Sequence, residues 1–162
     1  MVKAVNQSKD FAVGIIDADK RLPTLDNGFS EFKMDGDIDG TNRHIALFIN
    51  SDGRRFLFTV KPAMDKFILD AAKDQNVDLA GVGFPSTLDG FKKVTKRIQA
   101  SDDVNLRKLF ALISGHKELK CLRNTLKYLI NMRCNADVEV VKQFFSGSLT
   151  SDDLNSELMQ SK

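Results

Sequence analysis

Tryptophan is absent from the chain and tyrosine occurs once, against twelve phenylalanines. Such a set builds a core but leaves few aromatics for a wet interface or for stacking on unpaired bases. Cysteine occurs only at Cys121 and Cys134. Thirteen residues on one predicted helix separate them by about 20 Å, too far for a disulfide. There is no Cys-x-x-Cys, and the only histidines, His44 and His116, have no cysteine pair nearby, so zinc is not expected. Free thiols in a reducing compartment follow. The longest unbroken apolar run, Ile45–Ile49, is far short of a membrane span. The opening MVKAVNQSKD has no signal-peptide core, so the cytoplasm, a nucleus or a nucleoid is the expected location and a membrane is not an expected partner.

Enzyme signatures are also missing. Gly81-Val82-Gly83 lacks the third glycine of a dinucleotide fingerprint and the Gly-Lys-Ser/Thr ending of a P-loop. Ser114-Gly115 and Ser146-Gly147-Ser148 read as helix ends, not nucleophile elbows. Neither histidine has a Ser, Cys or carboxylate partner at a recognisable spacing, and both are expected at the surface. Asp35-Gly36-Asp37-Ile38-Asp39-Gly40 opens like a calcium loop, but Ala46 stands where the bidentate Glu belongs, and a solvated hairpin loop is expected. No catalytic activity, metal or cofactor is expected.

What is present fits a folded α+β protein of 162 residues, 42% apolar and 28% charged. Residues 1–61 read as an antiparallel β subdomain with strands at Val2–Val5, Phe11–Ile16, Leu22–Asn27, Phe29–Met34, Ile45–Asn50 and Arg54–Val60. The last two flank a four-residue hairpin loop at Asn50-Ser51-Asp52-Gly53. A five-stranded SH3-like or Tudor-like barrel is the expected arrangement, with an open meander as its rival. Residues 62–85 read as a helix, Ala63–Gln75, and a loop, with Phe67, Ile68 and Ala71 on the sheet. Residues 86–162 read as a basic helical subdomain with an acidic tail: a helix from a Ser86 cap to Ala100, one from a Ser101 or Asp102 cap to a left-handed Gly115, one from His116 to Arg133, and a short helix between Asp137 and Gly147.

The charge is unevenly placed. Net charge is only +2, yet residues 91–135 hold eleven Lys/Arg against three Asp/Glu. Between His116 and Arg133 the sole acid is Glu118. At 100° per residue Leu119, Leu122, Leu126, Leu129 and Ile130 fall in an arc of roughly 100°, while Lys117, Lys120, Arg123, Asn124, Lys127 and Asn131 fall in an adjoining arc of roughly 120°. Lys92, Lys93, Lys96 and Arg97 make a second basic face, and Arg107 and Lys108 add to it. The two helices joined at Gly115 have a helix-turn-helix-like outline, and with the preceding helix they predict a trihelical unit. A face of this kind attracts polyanions. The expected function is nucleic-acid binding, DNA before RNA and with low sequence specificity, in an accessory or regulatory role. Docking on an acidic protein surface, as an inhibitor or immunity factor does, is the alternative.

Overall fold

The computed structural model describes residues 2–8, 10–18, 25, 28–33, 43–97 and 103–160. Within them the chain is α+β, built on four strands: β1 (Ala12–Asp17), β2 (Phe29–Glu31), β3 (Ile45–Asn50) and β4 (Arg55–Val60). They lie in the order β1-β4-β3-β2 as an open mixed sheet. The β3–β4 hairpin forms where Asn50-Ser51-Asp52-Gly53 predicts it. Gly53 takes a φ of 67° and donates its N–H to the Asn50 carbonyl at 2.8 Å. The expected antiparallel barrel does not form. β1 runs parallel to β4, which a tight turn cannot produce but a long crossover can. Closure would bring β1 and β2 together, and they stand at opposite ends of the order. The expected strand at Val2–Val5 is instead a helix, α1 (Val2–Gln7), which packs on β1 and β4 and buries Val5. The strand expected at Leu22–Asn27, apart from Leu25, and the Asp35–Gly40 loop lie outside the described residues.

Alternation along the hairpin aims Ile45, Leu47 and Ile49, with their cross-strand partners Val60, Phe58 and Phe56, at one face. All six are buried in a first core. The opposite face is covered too, since Phe48, Leu57 and Thr59 are buried. The helices α5 (Lys117–Met132), α6 (Val138–Ser146) and α7 (Ser151–Gln160) close the first core with Tyr128, Leu129, Val141, Phe144, Phe145 and Leu154. Asp137 caps α6 by accepting the N–H groups of Glu139 and Val140, and Gly147, at φ 86°, ends it.

A second core joins α2 (Met64–Asp74), a 3-10 turn (Ala80–Val82), α3 (Leu88–Thr95) and α4 (Val104–Ile113). α2 serves both cores. Phe67 reaches the sheet, whereas Ile68 and Ala71, expected there as well, face α3 and α4. α3 is capped by the Thr87 hydroxyl, one residue after the expected Ser86, and α4 by Asp103. Residues 98–102, with the expected end of α3 and the expected caps Ser101 and Asp102, lie outside the described residues. Gly115 is not left-handed. An ideal Cβ there would stand 2.6 Å from Oε1 of Gln75, the mobile end of an exposed side chain that can swing aside, so the turn does not demand glycine. The helices of the expected trihelical unit are divided between the cores. α3 and α4 pack on α2, α5 packs on α6 and α7, and Leu119 is the α5 residue that touches both cores.

Candidate nucleic-acid interface

α5 sits rotated from the orientation its leucines predict, by roughly a third of a turn on the 3.6-residue period. Its buried side chains are Cys121, Asn124, Thr125, Tyr128 and Leu129, while Ile130 is 63% exposed. Local hydrogen bonding makes this possible. The Thr125 hydroxyl donates to the Cys121 carbonyl at 2.7 Å, so a polar residue enters the core already satisfied. Tyr128 accepts the Asp137 N–H at 3.1 Å and packs on Phe144 with ring centroids 5.5 Å apart. Burial, joined by the charges of Asp137 and Glu157, pushes the Tyr128 phenol up; burial likewise raises the Cys121 thiol. Asn124 is buried with its Oδ1 unpaired, which removes it from the residues able to meet a ligand.

Glu118, the one acid of α5, turns inward. Its side chain is only 10% exposed and reaches from α5 to the start of β3. Oε2 accepts the backbone N–H groups of His44 at 2.9 Å and Ile45 at 3.0 Å, and Oε1 meets His44 Nδ1 at 3.1 Å. On the other side of the ring, His44 Nε2 meets Asp70 of α2 at 3.0 Å, and Asp70 also pairs with Lys66. Burial works against the Asp70 carboxylate, but the hydrogen bonds and charges of Lys66 and His44 outweigh it and hold the group below the usual value of 3.8. Phe67 packs between His44 and His116, at 5.0 and 5.6 Å, and His116 Nε2 stands 3.4 Å from Asp74. Both nitrogens of His44 face carboxylate oxygens. The cluster ties β3, α2 and α5 together. Its members lie 26 and 74 residues apart, and no local spacing announces them; the one hint is a lone acid among the cations of α5.

With Glu118 turned inward, the outward charges of α5 all have one sign. Lys117, Lys120, Arg123 and Lys127 are exposed, and Lys120, Arg123 and Lys127 have no ion-pair partner among the described residues. Asn131 is also exposed, with its Nδ2 donating to the Lys127 carbonyl at 2.8 Å. On the second core, Lys93, Lys96 and Arg97 at the end of α3 are exposed and Lys92 is half-buried, while Arg107 and Lys108 are exposed on α4. No three His, Cys, Asp or Glu side chains among the described residues are arranged to hold a metal ion, and no helix there is long and apolar enough to cross a membrane. Comparisons with protein families, with curated proteins and with solved structures find no match to this chain.

Proposed function

We propose that the protein binds nucleic acid, duplex DNA foremost, through the outer face of α5 and with little regard to sequence. The observation that carries this reading is the uniform sign of that face: its only acid is spent on His44 and β3, so Lys120, Arg123 and Lys127 present unopposed cations at one-turn spacing. The helix is about 24 Å long at 1.5 Å per residue, a fit to successive backbone phosphates of a duplex. Asn131 stands at the far end of the row. With Asn124 buried, one amide on this face is left for a base edge, which is why the reading assigns positioning rather than sequence readout. The cations of α3 and α4 stand on the second core and are not counted among the contacts of this face. Docking of the same strip on an acidic protein surface is the second reading, favoured by the exposure of Ile130 among the cations.

Fluorescence anisotropy with two unrelated 20-base-pair duplexes, titrated from low to physiological salt, tests the proposal. Both duplexes should bind alike, and three neutralised phosphates predict a slope of about −3 in log K against log salt. Lys120→Glu with Lys127→Glu should abolish binding and leave the melting temperature in place. Absent or salt-insensitive binding, or binding untouched by the double variant, overturns it. Duplex RNA in parallel separates the two nucleic acids.

A further inference from the structure

A cavity of about 400 Å³ opens between α2 and the chain that leads into α3. That is the room of about a dozen waters at about 30 Å³ each, within the range of small-molecule sites. Its apolar lining is Leu69 of α2, Val77 and Leu79 of the loop that follows, and Leu88 at the start of α3. Leu69 and Leu79 are buried, and Val77 and Leu88 are half-buried. The charged lining comes from one face of α2, where Lys66, Asp70 and Lys73 recur at helical spacing. Lys66 pairs with Asp70, and Asp70 also meets His44, so the charges at that end answer one another. Lys73 stands about 10 Å beyond Lys66 along the helix. It is exposed and has no ion-pair or hydrogen-bond partner among the described residues. On the α3 side the cavity is lined by Ser86. Thr87 takes the capping role expected of Ser86, which leaves the Ser86 hydroxyl for other contacts.

We infer that this cavity is a binding site for a medium-chain aliphatic monocarboxylate such as octanoate. The carboxylate accepts from Lys73 and Ser86, and the hydrocarbon lies on the four aliphatic side chains. A small-molecule site needs few polar anchors over an apolar lining, and here both kinds of group border one space. Charge and hydropathy together select the ligand. Inorganic phosphate answers Lys73 but gains nothing from Leu69, Val77, Leu79 and Leu88. An aliphatic alcohol or amine gains from those side chains but leaves Lys73 unanswered or repelled. The inference does not rest on the nucleic-acid reading, which uses α5.

Octanoate titrated into the full chain, followed by amide chemical shifts in nuclear magnetic resonance, tests it. Saturation with a dissociation constant of about 1 mM or tighter is expected. The largest shifts should fall on Lys73, Val77, Ser86 and Leu88. Octanol and octylamine should bind about threefold more weakly or worse, because neither gains the ion pair. Lys73→Glu should weaken octanoate by about fivefold or more, since it replaces attraction by repulsion. Should Lys73→Glu disturb the circular dichroism spectrum, Lys73→Gln takes its place with a loss of about threefold. The Lys120→Glu and Lys127→Glu double variant should bind octanoate as the parent does. The inference fails if octanoate does not saturate below about 10 mM, or if octanol, octylamine or inorganic phosphate binds as tightly. It fails too if the folded Lys73 variant binds unchanged, or if the shifts fall on α5 and the α5 double variant loses them.

Discussion

Replacing Glu118 measures what the inward carboxylate contributes. In Glu118→Ala the backbone N–H groups of His44 and Ile45 lose an acceptor that now stands 2.9 and 3.0 Å away, at the point where β3 enters the sheet. His44 loses the partner of its Nδ1, while Asp70 remains on its other side. Hydrogen bonds to a charged group contribute about 1.5–3 kcal/mol each, and water at this part-buried site can restore some of that loss. The net destabilisation is then about 3 kcal/mol, which for a chain of this size lowers the melting temperature by about 6–12 °C. Glu118→Gln is the discriminating control. Its single carbonyl oxygen can still accept both backbone N–H groups, and its amide can donate to Nδ1 of a singly protonated ring whose Nε2 donates to Asp70. Its cost should be about 1 kcal/mol. Urea unfolding followed by circular dichroism, with the slope compared among the three proteins, reads both values. Glu118→Ala within about 0.5 kcal/mol of the parent, or Glu118→Gln as damaging as alanine, would refute this account, since 0.5 kcal/mol is what an ordinary surface change produces. The proposed DNA binding should survive Glu118→Gln, because the substitution leaves the outer face of α5 untouched.

Acid should weaken the same cluster. The Asp70 carboxylate titrates lower in the folded chain than its ordinary 3.8, so its contribution is complete above that value and is lost as pH falls through the folded one. The stability gap between the parent and Asp70→Asn should therefore be constant near neutrality and shrink below about pH 4; a gap that widens in acid contradicts the geometry. The two thiols should separate kinetically. Cys134 is exposed, whereas Cys121 is buried and its thiol raised, so a disulfide reagent should titrate one rapid equivalent in the folded chain and two in denaturant. Two rapid equivalents in the folded chain would mean that the Cys121 side of α5 opens.

Features legible in the sequence were those set by neighbours along the chain. Asn50 to Gly53 dictated the hairpin, and Asp137 and Gly147 bounded α6, because turns and caps are formed by residues a few positions apart. The α+β class followed from the same local signals. What escaped depended on distance. Nothing near Ala12–Asp17 states that its partner is Arg55–Val60 or that the two run parallel. The rotation of α5 escaped for a different reason: hydropathy counts Thr125 as polar, yet its hydroxyl is returned to its own helix and the residue is fully buried. Of the cationic residues singled out from sequence, those on α5 share one outward face, whereas those on α3 and α4 stand on a different core. Asn124 was misread because a surface asparagine and a buried one have the same letter.

The placement of β1 has a consequence for synthesis. Each of its residues pairs with one 43 positions later, from Ala12 with Arg55 to Asp17 with Val60. At about 5–20 residues per second a ribosome needs about 2–9 s to make that interval. For those seconds the nascent segment Phe11–Ile16 has no strand to join, and its apolar edge is open to whatever chaperone or neighbouring chain it meets first.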